Sequence, residues 1–199
     1  MGNIGKPVLD FLDKKIDVSI IEISSFQIES CSTLNSDIGI LLNIEEDHMD
    51  RHKSFKIYRS LKRRVLAESN INISYKEQQI KGNKFYDFED FFSEFDFSNN
   101  SALKNWPTHD ISNLKAALLA SALTIKHIEE NEVPDLNNFL SKSLERMSSF
   151  NKKAHRFEMI EDEEGVLHIN DSKATNFSAT VQSIESSSKL HKEGDIYLL

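Results

Sequence analysis

The chain has 199 residues, a single cysteine and a net charge of −8 at neutral pH. Its length suffices for one large domain or parts of two, while the negative charge argues against nucleic acid or anionic membranes as partners. The lone Cys31 excludes an internal disulfide, and no apolar stretch approaches the roughly 20 residues needed to span a bilayer. These features are typical of a soluble cytoplasmic α/β protein.

The first half of the chain predicts parallel strands that alternate with helices. Segment 6–14 is predicted to be helical, and the unalternating apolar runs at 18–23 and 38–44 are typical of strands buried on both faces. A short crossover helix is expected from Ser24, and apolar spacing predicts a longer helix from Ser54 to about Glu68. A further strand is expected at 71–75. Segment 76–105 is predicted to be a variable peripheral region with at most one acidic helix. Its phenylalanines are expected to pack locally.

The second half predicts two helices, a linker and a smaller unit. One helix is expected from Asp110 to Ile128, capped by Asp110 or Ser112, and another over 135–147. The polar segment 148–153 predicts a domain boundary. Strands at 155–161 and 166–169 and a helix at 178–187 are expected beyond it. Because residues 194–199 look like the start of a buried strand, we expect the chain to be a piece of a larger protein.

Ionisable side chains stand where the first two predicted strands end. Glu22 closes one apolar run, and His48 lies in the acidic segment that follows the other. Open parallel sheets bind ligands at the carboxyl ends of their strands, so these groups are expected to form a site, and a hard cation such as Mg²⁺ prefers oxygen ligands. Taken alone, Glu22 is equally typical of an exposed strand end, and His48 of a structural hydrogen-bonding partner.

Two further residues near this site have ordinary interpretations. His48 and His52 have the spacing of a zinc-binding helix, but Met49 stands where that motif requires glutamate. Lys62 follows on the next predicted helix, and on spacing alone it is a solvated lysine. Its ammonium carries donors and no acceptor, so it binds no cation unless carbamylation converts it into an anionic oxygen ligand.

Five short motifs occur in order along the chain. They are Glu-Ile-Ser-Ser-Phe-Gln at 22–27, Leu-Asn-Ile-x-x-Asp-His-Met-Asp-Arg-His at 42–52, Tyr-x-x-x-Lys at 58–62, His-Arg-Phe-Glu at 155–158 and Asn-Asp-Ser-Lys-Ala-Thr-Asn at 170–176. Together they resemble the Mur ligases of peptidoglycan synthesis, from Asn3 to Thr175. The Ser-Ser-Phe-Gln form is similar to the D-glutamate-adding branch. The resemblance thins over 71–105, where the family's usual acidic strand end is absent.

The resemblance implies an α/β fold with two domains. Residues 1–152 would form a three-layer, parallel-sheet central domain of the P-loop type, which binds ATP and here lacks its P-loop part. Residues 153–199 would form the truncated start of a Rossmann-like C-terminal domain. Since no Gly-Lys-Ser/Thr loop occurs in the sequence, the chain alone is expected to lack ligase activity.

The resemblance also implies an activity and a set of site residues. ATP would phosphorylate the carboxylate of UDP-N-acetylmuramoyl-L-alanine, and the amine of D-glutamate would attack the acyl phosphate, in a cytoplasmic monomer that uses two Mg²⁺ ions. Metal binding would fall to Glu22, His48 and a carbamylated Lys62, and catalysis to Lys62, His48 and Lys173. ATP would contact Asn113, Arg156, Asp171 and Lys173, the UDP-sugar Asn3, Ser24 and Gln27, and D-glutamate Thr175.

Three alternatives remain open. The chain could belong to a Mur-type ligase for a different amino acid, to a dinuclear metallohydrolase with a carbamylated lysine, or to a non-catalytic remnant. Metallohydrolase sites of that kind often use His-x-His, and none of the seven histidines is so arranged. Without the resemblance, the loop around Lys173 is typical of a helix cap, although backbone N–H groups at a helix start also bind anions.

Overall fold

The computed structural model describes residues 1–129, 135–190 and 195–198, and its centre is a three-stranded parallel sheet. The strands pair in chain order, with Ile40 opposite Ile73 in one pair and Asn72 opposite Phe85 in the other. They are β1 (Ser36–Leu41), β2 (Ser69–Ser74) and β3 (Lys84–Asp87). The predicted strands at 38–44 and 71–75 are therefore confirmed, each beginning two residues earlier than expected.

Helices cover both faces of this sheet, which confirms the predicted α/β class with a parallel sheet. Ile73 packs into a core built with the longest helix, whereas Gly39, on the opposite face, lies against the helix before β2. The helices are α1 (Ser25–Ser30), α2 (Met49–His52), α3 (Phe55–Ala67), α4 (Phe88–Phe91), α5 (Thr108–Glu129), α6 (Leu136–Met147) and α7 (Phe177–Leu190). No helix of the described ranges is both long and apolar enough to cross a membrane.

Gly39 marks the closest approach of α3 to the sheet. A Cβ atom at this position would overlap the carbonyl oxygen of Val65 and the side chain of Ser69, nearer than real Cβ atoms approach their neighbours. Any larger residue would push α3 outward. The absence of a side chain at one strand position therefore sets the height of this helix over the sheet.

The phenylalanine-rich segment belongs to the main core. Phe88, Phe92 and Phe97 are buried and pack with Leu119 and Leu140 of the long helices. Aromatic pairs such as Phe91–Phe92, with ring centroids 4.9 Å apart, extend this packing. The predicted peripheral position of this segment is therefore wrong, because its phenylalanines pack with the long helices and not only locally. The strand β3 was not expected either.

The N-terminal segment differs most from expectation. Residues 6–14 hold a single 3₁₀ turn, Val8–Phe11, instead of a helix. The predicted buried strand at 18–23 is wrong, since Ile20 is 81% exposed and, in the described part of the chain, the segment forms a single parallel bridge, between Glu22 and Gly2. A parallel strand is stabilised by neighbours on both sides and by covering helices. Segment 18–23 has few such neighbours.

The α5 cap was predicted wrongly. The helix begins at Thr108, and the N–H groups of Asp110 and Ile111 donate to the carbonyl of Pro107, so neither Asp110 nor Ser112 is the N-cap. The Asp110 carboxylate pairs with Lys152 instead. By contrast, the caps at Ser54 and Asp135 agree with the predicted starts of α3 and α6.

A second, antiparallel sheet follows α6. Strands β4 (Glu158–Glu161) and β5 (Leu167–Asn170) form a hairpin, and α7 follows it. The Asp162 carboxylate organises the turn by accepting from His168 Nε2 at 2.8 Å and from the N–H of Val166 at 2.9 Å, and these bonds lower its pKa. Residues 195–198 form no strand, contrary to expectation; Gly194 and Leu199 lie outside the described residues.

The guanidinium of Arg64 joins α3 to α1 and to the residues just after it. It donates to the carbonyls of Ile28 at 2.7 Å and Cys31 at 3.0 Å, and to the carboxylate of Glu68 at 2.6 Å. Glu68 also accepts from the N–H of Leu34 at 2.7 Å. The bond from Arg64 is the main reason that the pKa of Glu68 lies below its ordinary value. One side chain thereby holds α1 and α3 together.

Candidate functional site

The N-terminus of α1 carries two of the predicted substrate-binding residues. Ser24 and Gln27 form a capping box, in which Gln27 Oε1 accepts from the Ser24 N–H at 2.9 Å and Ser24 Oγ accepts from the Gln27 N–H at 3.3 Å. Just before it, the Asn3 N–H donates to the Glu22 carbonyl at 2.8 Å. The backbone therefore places Asn3, Glu22, Ser24 and Gln27 side by side, with the Glu22 side chain exposed to solvent.

His48 lies on the loop that leaves the first sheet strand. It is the N-cap of α2 with left-handed backbone angles, φ 55° and ψ 37°, an uncommon conformation for a residue with a side chain. Half of its side chain is exposed, its Nδ1 lies 3.6 Å from Asp47 Oδ1, and its ring centroid lies 5.1 Å from that of Phe26. An exposed imidazole held by a constrained turn is suited to bind a ligand.

Lys62 lies one helical turn after Tyr58 on α3. Its Nζ stands 5.6 Å from the centroid of the Tyr58 ring, in a cation–π arrangement, and the residue is half-buried. Burial raises the pKa of the Tyr58 hydroxyl, and the Asp47 carboxylate adds to this effect. Lys62 is thus partly covered and packs against an aromatic ring.

Three rings connect these groups. Phe26, His52 and Tyr58 form an aromatic cluster, with the His52 centroid 5.3 Å from that of Phe26 and 5.2 Å from that of Tyr58. His48 packs at the Phe26 end and Lys62 at the Tyr58 end. The structure therefore places the predicted imidazole and lysine at the two ends of one cluster, next to α1.

Arg156, Asp171 and Lys173 lie on two loops that touch. Asp171 Oδ1 accepts from the Phe157 N–H at 3.0 Å, and the Lys173 N–H donates to the His155 carbonyl at 3.3 Å. His155 and Phe157, on either side of Arg156, both have positive φ, 65° and 47°. Strained residues of this kind cluster at ligand sites. Both cationic side chains are exposed, so an anion can reach them.

The remaining two predicted residues lie near these loops. Thr175 is exposed, and its N–H donates to the Lys173 carbonyl at 3.0 Å. Asn113 is exposed on α5, one turn after Asp110. Lys152, which pairs with Asp110, stands 5.6 Å from the Phe157 ring centroid and so connects this part of α5 to the loop around Arg156.

A polar cavity lies between the two parts of the site. It measures about 180 Å³ and is lined on one side by Asn43, Glu45, Asp47 and Tyr58 and on the other by the start of α7, with Asn176 and Gln182. The C-terminal segment therefore comes next to the loop that carries His48. Within the described ranges, no three His, Cys, Asp or Glu side chains are grouped closely enough to bind a metal ion. The predicted metal ligands differ from such a group, because they combine one carboxylate and one imidazole with a modified lysine.

More than half of the chain matches a known protein family. Residues 3–121 match the family model described as the Mur ligase middle domain. The chain belongs to the Mur ligase family. The matched range includes Glu22, His48, Lys62 and Asn113, whereas the loops that carry Arg156 and Lys173 follow it.

Relatives of this family match nearly the whole chain. A UDP-N-acetylmuramoylalanine–D-glutamate ligase from Buchnera aphidicola is 34% identical over 200 residues, 93% of this chain and 45% of that protein. Proteins of the same name from Vibrio atlanticus and Aliivibrio fischeri are each 30% identical and cover 100% of this chain and 46% of their own length. The chain thus spans about half the length of the curated relatives it matches.

His52 is the residue that the sequence pattern did not identify as part of the site. Its spacing from His48 was weighed only as a zinc motif, which Met49 argued against, but its Nε2 lies 2.9 Å from Ser25 Oγ, and the residue is 2% exposed. The signal available in the sequence was the aromatic residue in each neighbouring motif, Phe26 and Tyr58. A buried imidazole commonly packs between such rings.

Proposed function

We propose that this chain forms the middle part of an ATP-dependent ligase that joins D-glutamate to UDP-N-acetylmuramoyl-L-alanine through an acyl phosphate. The observation that carries the proposal is the grouping of His48 and Lys62 around one aromatic cluster beside α1, in a chain whose relatives carry that ligase name. The reaction would take place in the cytoplasm in a monomer, as one step in building the cell wall.

The donor groups fit Mg²⁺. Glu22 offers an exposed carboxylate and His48 an exposed imidazole, and Lys62 would supply carbamate oxygens in its half-buried position. In this proposal Glu22 holds one ion, and His48 and Lys62 hold the other. When bound, the two ions would neutralise the charge that develops on the attacking and leaving oxygens.

The chain's own residues would bind and orient the reactants. Arg156 and Lys173 are exposed cations on touching loops, suited to the phosphates of ATP, with Asp171 toward the ribose and Asn113 as a further contact to the nucleotide. Asn3, Ser24 and Gln27 would hold the UDP-sugar so that its carboxylate faces the phosphate. Thr175 would contact D-glutamate, whose amine attacks the acyl phosphate and displaces inorganic phosphate.

Titration of UDP-N-acetylmuramoyl-L-alanine into the ¹⁵N-labelled chain tests the substrate assignment. We expect amide shifts at Asn3, Ser24 and Gln27, and we expect the double substitution Ser24→Ala with Gln27→Ala to remove them. UDP-N-acetylglucosamine, which lacks the lactyl-alanine arm, serves as the matched control ligand. No shift at α1 with the substrate, or shifts that persist in the double variant, would refute this assignment, whereas equal shifts with the control ligand would assign the contacts to the UDP-sugar part and not to the lactyl-alanine arm.

A second measurement tests the lysine. In ¹³C-bicarbonate, the wild-type chain is expected to show a carbamate carbon signal that is lost in Lys62→Arg, because arginine keeps the positive charge and forms no comparable carbamate. Lys56→Arg is the matched control, since Lys56 is exposed on the same helix. A signal that persists in Lys62→Arg and disappears in Lys56→Arg would contradict the assignment.

A further inference from the structure

His52 is the most enclosed polar residue near the candidate site. Its side chain is 2% exposed, and its ring stacks on Phe26 with an interplanar angle of 17° and a centroid distance of 5.3 Å. Tyr58 packs against it at 5.2 Å. Its Nδ1 has no hydrogen-bond partner among the described residues. A buried polar atom without a partner costs free energy, so stability alone does not explain why a histidine stands at this position.

The hydrogen bond of His52 reaches α1. Nε2 lies 2.9 Å from Ser25 Oγ, and Ser25 is itself 3% exposed. Ser25 stands between the capping residue Ser24 and the substrate candidate Gln27. The imidazole therefore fixes the distance between α2 and the helix that presents the proposed UDP-sugar contacts.

The packing of His52 also reaches both proposed ligands of the second metal ion. Phe26, which stacks on His52, packs on His48 at 5.1 Å, and Tyr58, on the other side, lies under Lys62 Nζ at 5.6 Å. The helix α2 has a single turn and is flanked by left-handed residues, His48 and Lys53. So short a helix has little stability of its own, and its position depends on tertiary contacts.

We infer that His52 is a positioning residue that aligns His48 and Lys62 with α1 through one buried hydrogen bond and two ring contacts. This inference rests on the proposed function, because aligning His48 with Lys62 matters only if their side chains hold the same ion. Residues that orient metal ligands from behind usually change metal affinity by about 10- to 100-fold when they are replaced.

The test compares variants of the chain by NMR, first without metal. Proximity between the Phe26 and His48 rings, and between the Tyr58 ring and the Lys62 ε-protons, is read from nuclear Overhauser effects. His52→Ala is expected to remove both, while the amide signals of β2 keep their native positions. His52→Phe keeps a ring but loses the bond to Ser25, and Ser25→Ala removes the same bond from the other side; both are expected to weaken the two proximities.

Mn²⁺ then serves as a paramagnetic probe. We expect it to broaden the His48 ring signals of the wild-type chain, and His52→Ala to require about tenfold more Mn²⁺ for the same broadening. His52→Gln, whose amide can still bond to Ser25, should recover part of this loss. His168→Ala is the matched control, because it also removes a 2.8 Å imidazole hydrogen bond but lies in the second sheet.

The outcomes distinguish the positioning role of His52 from the metal assignment in the proposed function. If His52→Ala retains both proximities and wild-type Mn²⁺ response, the positioning role is overturned. If His168→Ala lowers the Mn²⁺ response as much as His52→Ala, the effect is a general loss of structure and the inference is likewise overturned. If Mn²⁺ leaves His48 of the wild-type chain unbroadened, the metal assignment in the proposed function fails, and the metal-free proximities decide the role of His52.

Discussion

Replacing Asn72 by leucine is expected to stabilise the chain. Asn72 lies in the middle of β2, between Gly39 and Phe85 on the neighbouring strands, and is 0% exposed. Neither its amide nitrogen nor its amide oxygen has a hydrogen-bond partner among the described residues. Burial of an amide without partners costs about 1–3 kcal/mol in proteins. Leucine has a similar volume and carries no polar atom, so most of that cost should be recovered.

The expected gain is about 0–2 kcal/mol, centred near 1 kcal/mol, once about 1 kcal/mol is allowed for the change in side-chain shape. In a chain of this size each kcal/mol moves Tm by about 2–4 °C, so Tm should rise by up to about 8 °C. Thermal unfolding followed by circular dichroism measures it. Asn70→Leu is the matched control, because Asn70 is exposed on the same strand and should change stability by less than about 0.5 kcal/mol. A lower Tm for Asn72→Leu, with Asn70→Leu unchanged, would refute the reasoning.

Two further predictions concern the contacts of α3. Gly39→Ala should destabilise the chain by about 3 kcal/mol in urea unfolding, because the added carbon meets the Val65 backbone, which cannot move aside as a side chain can; a loss below about 1 kcal/mol would contradict this. The folded pKa of Glu68 lies below its ordinary value of 4.5, so its contribution is complete above that pH and is lost as the pH falls through the folded pKa. Unfolding of Glu68→Gln should therefore depend less steeply on pH than wild type below about pH 4.5, and parallel curves would argue against it.

Local patterns predicted the longer helices well, although the helix expected at 6–14 is a single 3₁₀ turn. The apolar spacing of α3 and the polar residues Ser54 and Asp135 before α3 and α6 are signals within one helical turn, and the structure confirms them. The run at 18–23 looks like a buried strand by composition, yet burial of a strand depends on neighbours that the local sequence does not specify. The strand β3 was missed for the opposite reason, because four residues, Lys84–Asp87, give too short a pattern.

The sequence predicted the site less completely than it predicted the longer helices. The unalternating apolar runs marked Glu22, at the end of one run, and His48, after the other, as candidates. Spacing alone assigned Lys62 to solvent, and the family resemblance added it to the site. The structure then places Lys62 over the Tyr58 ring, a contact between residues four positions apart that any helix would allow. The link from His52 to Ser25 spans 27 positions, and no local pattern predicts a contact at that separation.

The anchoring by Arg64 limits how this surface can vary. Its side chain is 26% exposed, so by solvent access alone the position should accept many residues. However, its planar fork reaches three backbone carbonyls, those of Ile28, Cys31 and Ser32, as well as a carboxylate. The single nitrogen of lysine cannot span these acceptors. Position 64 should therefore tolerate as few substitutions as a buried position. The exposed Arg59 on the same helix makes no such demand and can be replaced freely.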